Sequence, residues 1–297
     1  MVHRVLASQG IPSSRIAGAF LVAAALAACG GGGGKATATV SSTSVSASRY
    51  ASPVLLTING TSLDNITVSS AGCKNITRLT APPTASTATT AYYGCTASGA
   101  YSSSFAIQSN GSTVGSSNTF TVAPPQVTLT VNNGLALNGN IVIDLAGDKM
   151  PITVDNFLSY VNSHFYDGQI FDRVVHGVSA QAGVYGHTVN GALPPASPTS
   201  APIPLEINAT LTNKAWTIGM ARGGDPNSAT AEFYFNLQDN PGFDGGYAVF
   251  GNVEASSVGV VQAIDQAPAH CFFNPQAGTN DCLPTPDAAI ITAVQTQ

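Results

Sequence analysis

Short apolar runs that alternate every second residue, interrupted roughly every ten residues by turn signals, constrain this chain to a mainly β fold. PVLLTING alternates and closes on Asn59-Gly60. Ile66/Val68, AYYGCTA around Cys95, Phe105/Ile107 and Phe120/Val122 keep the same period. VTLTV and IVIDL (Ile141–Leu145) follow, separated by the turn-rich NNGLALNGN, and read as a hairpin. QIFDRVV, AWTIGMA, AEFYFNL, YAVFGNV and AAIITAV are further strand-like pieces. A period of two buries one face of a strand. PITVDNFLSYV departs from it: Val154, Phe157, Leu158 and Val161 fall at helical spacing, with Thr153 as the expected N-cap. Val258, Val261 and Ile264 predict a second amphipathic helix near Ser256–Ile264. A closed sheet with two helices is the economical arrangement, because closure removes exposed strand edges.

The chain has 297 residues, enough for one or two domains. Charged residues make up only 8% against 44% hydrophobic, so hydroxyls and amides must cover much of the surface. The net charge is −5 and no cluster of Lys or Arg occurs, which argues against nucleic-acid binding, since phosphate neutralisation needs a basic patch.

Residues 1–28 read as a targeting segment. Arg4 and Arg15 precede the apolar Ile16–Ala28, which is short for a bilayer span but suits a signal h-region. The run ends Leu26-Ala27-Ala28-Cys29-Gly30 and resembles a bacterial lipoprotein lipobox. That resemblance implies cleavage before Cys29, its acylation, and a cell-envelope protein lipid-anchored at the outer membrane, facing the periplasm. An ordinary signal peptide is the alternative. Loss of Arg4 and Arg15 would take the net charge from −5 to −7. Gly30–Gly34 and the Ser/Thr-rich stretch after it read as a flexible tether over 29–49. Residues 50–123 read as a small β-sandwich that resembles immunoglobulin-like surface modules by pattern, with a spacer or adhesive role. Ala123-Pro124-Pro125 is a stiff joint to a second domain over 126–297.

Four further cysteines remain: Cys73, Cys95, Cys271 and Cys282. An even number in an exported chain points to disulfides. Of the three possible pairings, Cys73–Cys95 and Cys271–Cys282 are preferred, because each lies within one expected domain. A zinc site using Cys271 and His270 competes, but no CxxC spacing supports it.

Residues 126–297 contain just two arginines, Arg173 and Arg222. Arg173 sits inside QIFDRVV, where simple alternation puts it on one face with Phe171. An ion pair, with Glu232 for instance, is the structural explanation of such an arginine. FDRVVHGVSAQAG is followed by GMARGGDPNSATAEFYFNL and FDGGYAVFGNV, and preceded by PITVDNFLSYVNSHFYDG. In that order and spacing they resemble the cyclophilin-type peptidyl-prolyl isomerases over 126–297. The resemblance implies an eight-stranded antiparallel barrel capped by two helices. It also implies catalysis without metal or cofactor on proline-containing segments of exported proteins. Arg173 would donate to the prolyl nitrogen, and Gln181 would contact the substrate backbone and help place the arginine. Phe171 would support Arg173 or serve as core. Val178, Ser179, Ala221, Arg222, Glu232, Tyr234, Phe243 and Tyr247 fall at groove positions, with Ala221 as a small floor.

Several residues depart from the family pattern. Val178-Ser179 stands where Phe-Met is usual, Glu232 where glutamine is, and Tyr234 where phenylalanine is. Gly242 takes the common tryptophan position, Phe243 replaces leucine, and Tyr247 a frequent histidine. A peptide-binding or chaperone-like envelope module with an altered proline pocket and little turnover is therefore the alternative function. A serine hydrolase is disfavoured, since GVSAQ lacks the closing glycine of a nucleophile elbow. His176 and His187 read as rim residues rather than ligands. The proline-rich Tyr185–Asn208 reads as an inserted loop, and Asn274–Asp281 as another insertion, closed by Cys271–Cys282.

Overall fold

A computed structural model describes residues 36–275 and 278–297, apart from 187–191, 193 and 196–199. The lipobox, Cys29 and His187 lie outside the described residues.

The first part of the described chain is all β, as its alternation predicts. Its strands are β1 (Thr39–Ser46), β2 (Pro53–Thr61), β3 (Ile66–Ser69), β4 (Cys73–Arg78), β5 (Thr90–Ala97), β6 (Ser102–Ser103), β7 (Ala106–Ser109), β8 (Ser112–Ser116) and β9 (Phe120–Thr121). They form a four-stranded sheet in the order β1-β2-β5-β4, a three-stranded sheet β3-β7-β8 and the pair β6-β9. Cys73 and Cys95 are disulfide-bonded, joining β4 to β5.

Strand β1 corrects the expected tether. It pairs with β2 from Thr39↔Thr61 to Ser46↔Leu55, inside the stretch 29–49. Thr and Val favour extended backbone whether or not they alternate with apolar residues, and a polar strand suits a sheet edge.

The stiff joint at Pro124-Pro125 is also bridged, so residues 36–297 form one compact unit. Tyr50 is fully buried, and its hydroxyl donates to the Gly147 carbonyl at 3.1 Å and accepts from Gly99 N at 3.0 Å. Tyr101 donates to the Leu145 carbonyl at 3.0 Å. Ser98 Oγ and Lys74 Nζ both reach Asp155 Oδ2 at 2.6 Å.

The rest of the chain supplies β10 (Gln126–Asn132), β11 (Asn138–Leu145), α1 (Pro151–Asn162), β12 (Gln169–Val175), β13 (Ser179–Gly186), β14 (Thr217–Met220), β15 (Phe233–Asn236), β16 (Val249–Val253), α2 (Val258–Asp265), β17 (Ala269–Asn274), β18 (Thr279–Pro284) and β19 (Ala289–Gln295). Eight of these close an antiparallel barrel in the order β10-β11-β16-β14-β15-β13-β12-β19, with β19 returning to β10. The β17–β18 hairpin hangs from β12 through Val174↔Cys282. Phe157, Tyr166, Phe171, Phe233, Phe235 and Phe250 are fully buried in the core. Burying each removes on the order of 1.5–3 kcal/mol of unfavourable hydration.

Helix α1 starts at Pro151, whose fixed φ and missing N–H suit the first turn. Thr153 lies inside the helix and is not its N-cap. Glu206 caps it from a distant loop, accepting from Ile152 N (3.3 Å), Thr153 N (2.9 Å) and Thr153 Oγ1 (2.8 Å). A carboxylate there meets both the unpaired N–H groups and the positive end of the helix dipole.

Candidate functional site

Strand β12 carries the arginine, and its pairing with β13 slips between Phe171 and Arg173. The slip overturns simple alternation. Phe171 is fully buried against Phe233 and Phe235, at centroid distances of 6.4 and 6.0 Å. Arg173 emerges instead into a groove with its side chain 30% exposed. A β-bulge inserts an extra residue and re-aims the side chains after it.

The groove is a cavity of about 240 Å³ lined by Arg173, Ser179, Gln181, Ala221, Arg222, Glu232, Tyr234, Phe243 and Tyr247. Pairing explains the grouping: Arg173 lies opposite Gln181, and Gln181 opposite Tyr234. Two of the expected substrate contacts lie elsewhere. Phe171 is core. Val178 is half-buried, and its carbonyl accepts from Leu237 N and Asn240 Nδ2, both at 3.0 Å, so it anchors the turn before β13.

One wall of the groove is polar. Arg173 Nη1 faces Gln181 Oε1 at 3.5 Å, and Gln181 Nε2 donates to Glu232 Oε1. Burial raises the Glu232 carboxyl above its ordinary value, opposed by the Gln181 hydrogen bond and by Arg173. Asp172 is pushed up to about 7, first by burial and then by the Glu232 charge. Its Oδ1 is buried with no hydrogen-bond partner among the described residues.

The other wall is aromatic. Tyr234, Phe243 and Tyr247 stand 5.4–6.1 Å apart between ring centroids. Tyr234 is 5% exposed and donates to Asn213 Oδ1 at 2.6 Å. The Arg222 guanidinium lies 4.7 Å over the Tyr247 ring while its Nε donates to the Gly246 carbonyl at 2.9 Å. Ala221, 7% exposed, leaves the floor low. The whole is a shallow trough with a cation at one side and an apolar recess at the other.

Glu232 is not the ion-pair partner of Arg173. That partner is Asp281 on β18: Arg173 Nε donates to Oδ2 at 2.8 Å and Nη2 to Oδ1 at 3.0 Å. The sequence placed Asp281 in an insertion next to Cys282, but nothing in it told which face of the hairpin would meet β12. Cys271 and Cys282 are disulfide-bonded as expected, directly opposite each other in the hairpin. His176 lies outside the groove. Its Nδ1 is 3.1 Å from Asp265 Oδ1, and its Nε2 3.8 Å from Cys271 Sγ. The sulfurs of Cys271 and Cys282 lie within 4.8 Å of the His176 ring nitrogens, but metals are held by thiolates, and these sulfurs are bonded to each other.

The family model for cyclophilin type peptidyl-prolyl cis-trans isomerase matches residues 126–287. A peptidyl-prolyl cis-trans isomerase of Acinetobacter baylyi is 38% identical over 139 residues, 45% of this chain and 71% of its own length. The isomerase cyp18 of Streptomyces antibioticus is 41% identical over 123 residues, 39% of this chain and 71% of its own. Isomerase B of Escherichia coli is 40% identical over 124 residues, 39% of this chain and 73% of its own. Among solved structures, a Cryptosporidium parvum cyclophilin type isomerase is 19% identical with a TM-score of 0.45, covering 58% of this chain and 98% of its own.

Proposed function

This chain belongs to the cyclophilin-type peptidyl-prolyl cis-trans isomerases, and on that premise we propose that Arg173 is the catalytic residue of its trough. The barrier to X-Pro rotation is about 18–20 kcal/mol, because twisting the amide destroys its resonance. At the twisted transition state the prolyl nitrogen regains a lone pair. A guanidinium N–H donates to that lone pair and finds no such acceptor in either planar isomer. The bond therefore lowers the barrier without deepening the ground states. No bond to the substrate is made or broken, so neither a nucleophile nor a proton relay enters.

The carrying observation is the placement of Arg173 at the polar wall, opposite the Tyr234–Phe243–Tyr247 recess. That recess suits a proline ring. Gln181 serves the substrate backbone and holds Glu232 away from the cation. The test is acceleration of X-Pro isomerisation in a peptide. Arg173→Ala should lower kcat/KM by about 100-fold or more, on the scale of a lost transition-state donor. An Arg173→Ala variant with wild-type activity would sink the assignment.

A second reading, peptide binding with slow turnover, draws on the Asp281 carboxylate that occupies Arg173. Binding of a proline peptide without acceleration of its isomerisation would select it.

The clients we propose are exported polypeptides. The Leu26-Ala27-Ala28-Cys29 run and the two disulfides support a lipid-anchored envelope protein. The immunoglobulin-like reading of the N-terminal β module belongs to the same proposal, as a spacer. Metabolic labelling with a fatty acid checks the anchor, and Cys29→Ala should abolish the label.

A further inference from the structure

The guanidinium of Arg173 is gripped from one side. Asp281 is 4% exposed in its side chain and uses both oxygens on the arginine, while its Oδ2 also accepts from Asn274 Nδ2 at 2.7 Å. The fork engages the Nε–Nη2 edge, which leaves Nη1 turned to Gln181. Bidentate pairing fixes the plane of a guanidinium as well as its position, which a single hydrogen bond does not. Asp281 itself does not line the trough.

The grip reaches Arg173 from outside the barrel. The β17–β18 hairpin meets β12 in the ladder at Val174↔Cys282, one residue from Asp281. Cys271 lies directly opposite Cys282, and Phe272 opposite Asp281. The disulfide thus ties the two hairpin strands beside the carboxylate. Cys282 is 1% exposed and Cys271 is exposed, so a reductant enters at Cys271.

We propose that Asp281 is a positioning residue for Arg173, held in place by the Cys271–Cys282 disulfide, so that the oxidation state of the hairpin sets the aim of the arginine. The proposal rests on Arg173 being the catalytic residue. Reduction by a dithiol is balanced. One reductant thiolate attacks Cys271 Sγ, the S–S bond breaks, and Cys282 leaves as a thiolate that takes a proton. The second reductant thiol then closes a disulfide within the reductant and releases Cys271 as a thiolate next to His176. The reductant loses two electrons and the hairpin gains them.

The test uses the full chain and the same peptide assay, with activity normalised to folded protein. Asp281→Ala should lower kcat about tenfold with KM within about twofold, because aim and not binding is lost. Asp281→Asn, which keeps an acceptor, should recover part of that loss. The Arg173 Nε–H resonance in a ¹H–¹⁵N spectrum should shift and exchange faster with water in Asp281→Ala. Cys271→Ser/Cys282→Ser should lower kcat in the same direction. Dithiothreitol should reproduce that drop in the wild type and add nothing in the double variant. Full activity with an unchanged Nε–H signal in Asp281→Ala would overturn the proposal. So would higher activity, which would make Asp281 a competitor of the substrate. Full activity of the wild type after mass spectrometry shows both hairpin thiols free would overturn the role of the disulfide. An Arg173→Ala variant with wild-type activity would instead overturn the assignment of the arginine, so the two failures are separable.

Discussion

The ring of Tyr234 occupies the space that a side chain at position 219 would need: a Cβ there would collide with both Cζ and the hydroxyl oxygen of Tyr234. Gly219 on β14 is paired with Tyr234 on β15, so the aromatic recess is built directly over a glycine. Gly219→Ala should push the ring toward the trough or break its hydrogen bond to Asn213. The expected cost is about 1–3 kcal/mol of stability, typical of overpacking, with a raised KM for proline peptides. Denaturant melts and the isomerase assay check both, and an unchanged KM would show that Tyr234 does not shape the recess.

Asp172 makes folding stability depend on pH in a stated direction. Its folded pKa of about 7 lies above the ordinary 3.8, so between those values the native state holds a proton that the unfolded chain has released. Stability from this group is therefore intact at pH 4 and falls as pH rises toward about 7, by at most about 1.4 kcal/mol per pH unit. Glu232, also raised, acts in the same sense. Asp172→Asn should stabilise the protein at pH 8 and change little at pH 4. Chemical denaturation at the two pH values is the measurement, and equal effects at both would refute the shift.

The Arg222–Tyr247 stack holds one flank of the recess. Its worth is about 0.5–1 kcal/mol at a partly exposed site. Arg222→Ala should raise KM several-fold while leaving kcat near wild type, since no contact with the prolyl nitrogen is lost. A fall in kcat with KM unchanged would instead place Arg222 among the transition-state donors.

Glu206 should matter for stability and not for chemistry. Glu206→Ala removes three acceptor contacts from the start of α1. The expected loss is about 1–2 kcal/mol, seen as a lower melting temperature. Peptide isomerisation by the remaining folded protein should be unchanged, and a parallel loss of kcat would tie α1 to the trough.

Much of this architecture was legible along the chain because it is local. Short apolar runs mark QIFDRVV, AEFYFNL and YAVFGNV as strand-like, and Val154, Phe157, Leu158 and Val161 mark α1, wherever those segments end up. Keeping each cysteine pair within one expected domain pointed to the two bridges observed. Of the nine groove positions expected beside Arg173 and Gln181, seven line the trough and needed only the motif order; Phe171 took the core role that was its alternative, and Val178 departed. The bulge in β12 turned Phe171 inward, and the backbone contacts of Val178 drew it into a turn.

By itself the amino-acid order determined most of the segments that extend and those that coil, because these follow from side-chain period and chemistry over a few neighbours, while the residue types at the trough followed from the order of motifs that resemble the family's. Only the tertiary structure decided that Asp281 grips Arg173, that Glu206 caps α1, and that β1 joins a sheet. Each of those joins residues far apart in the chain, brought together by strand register and hairpin placement that no local pattern encodes.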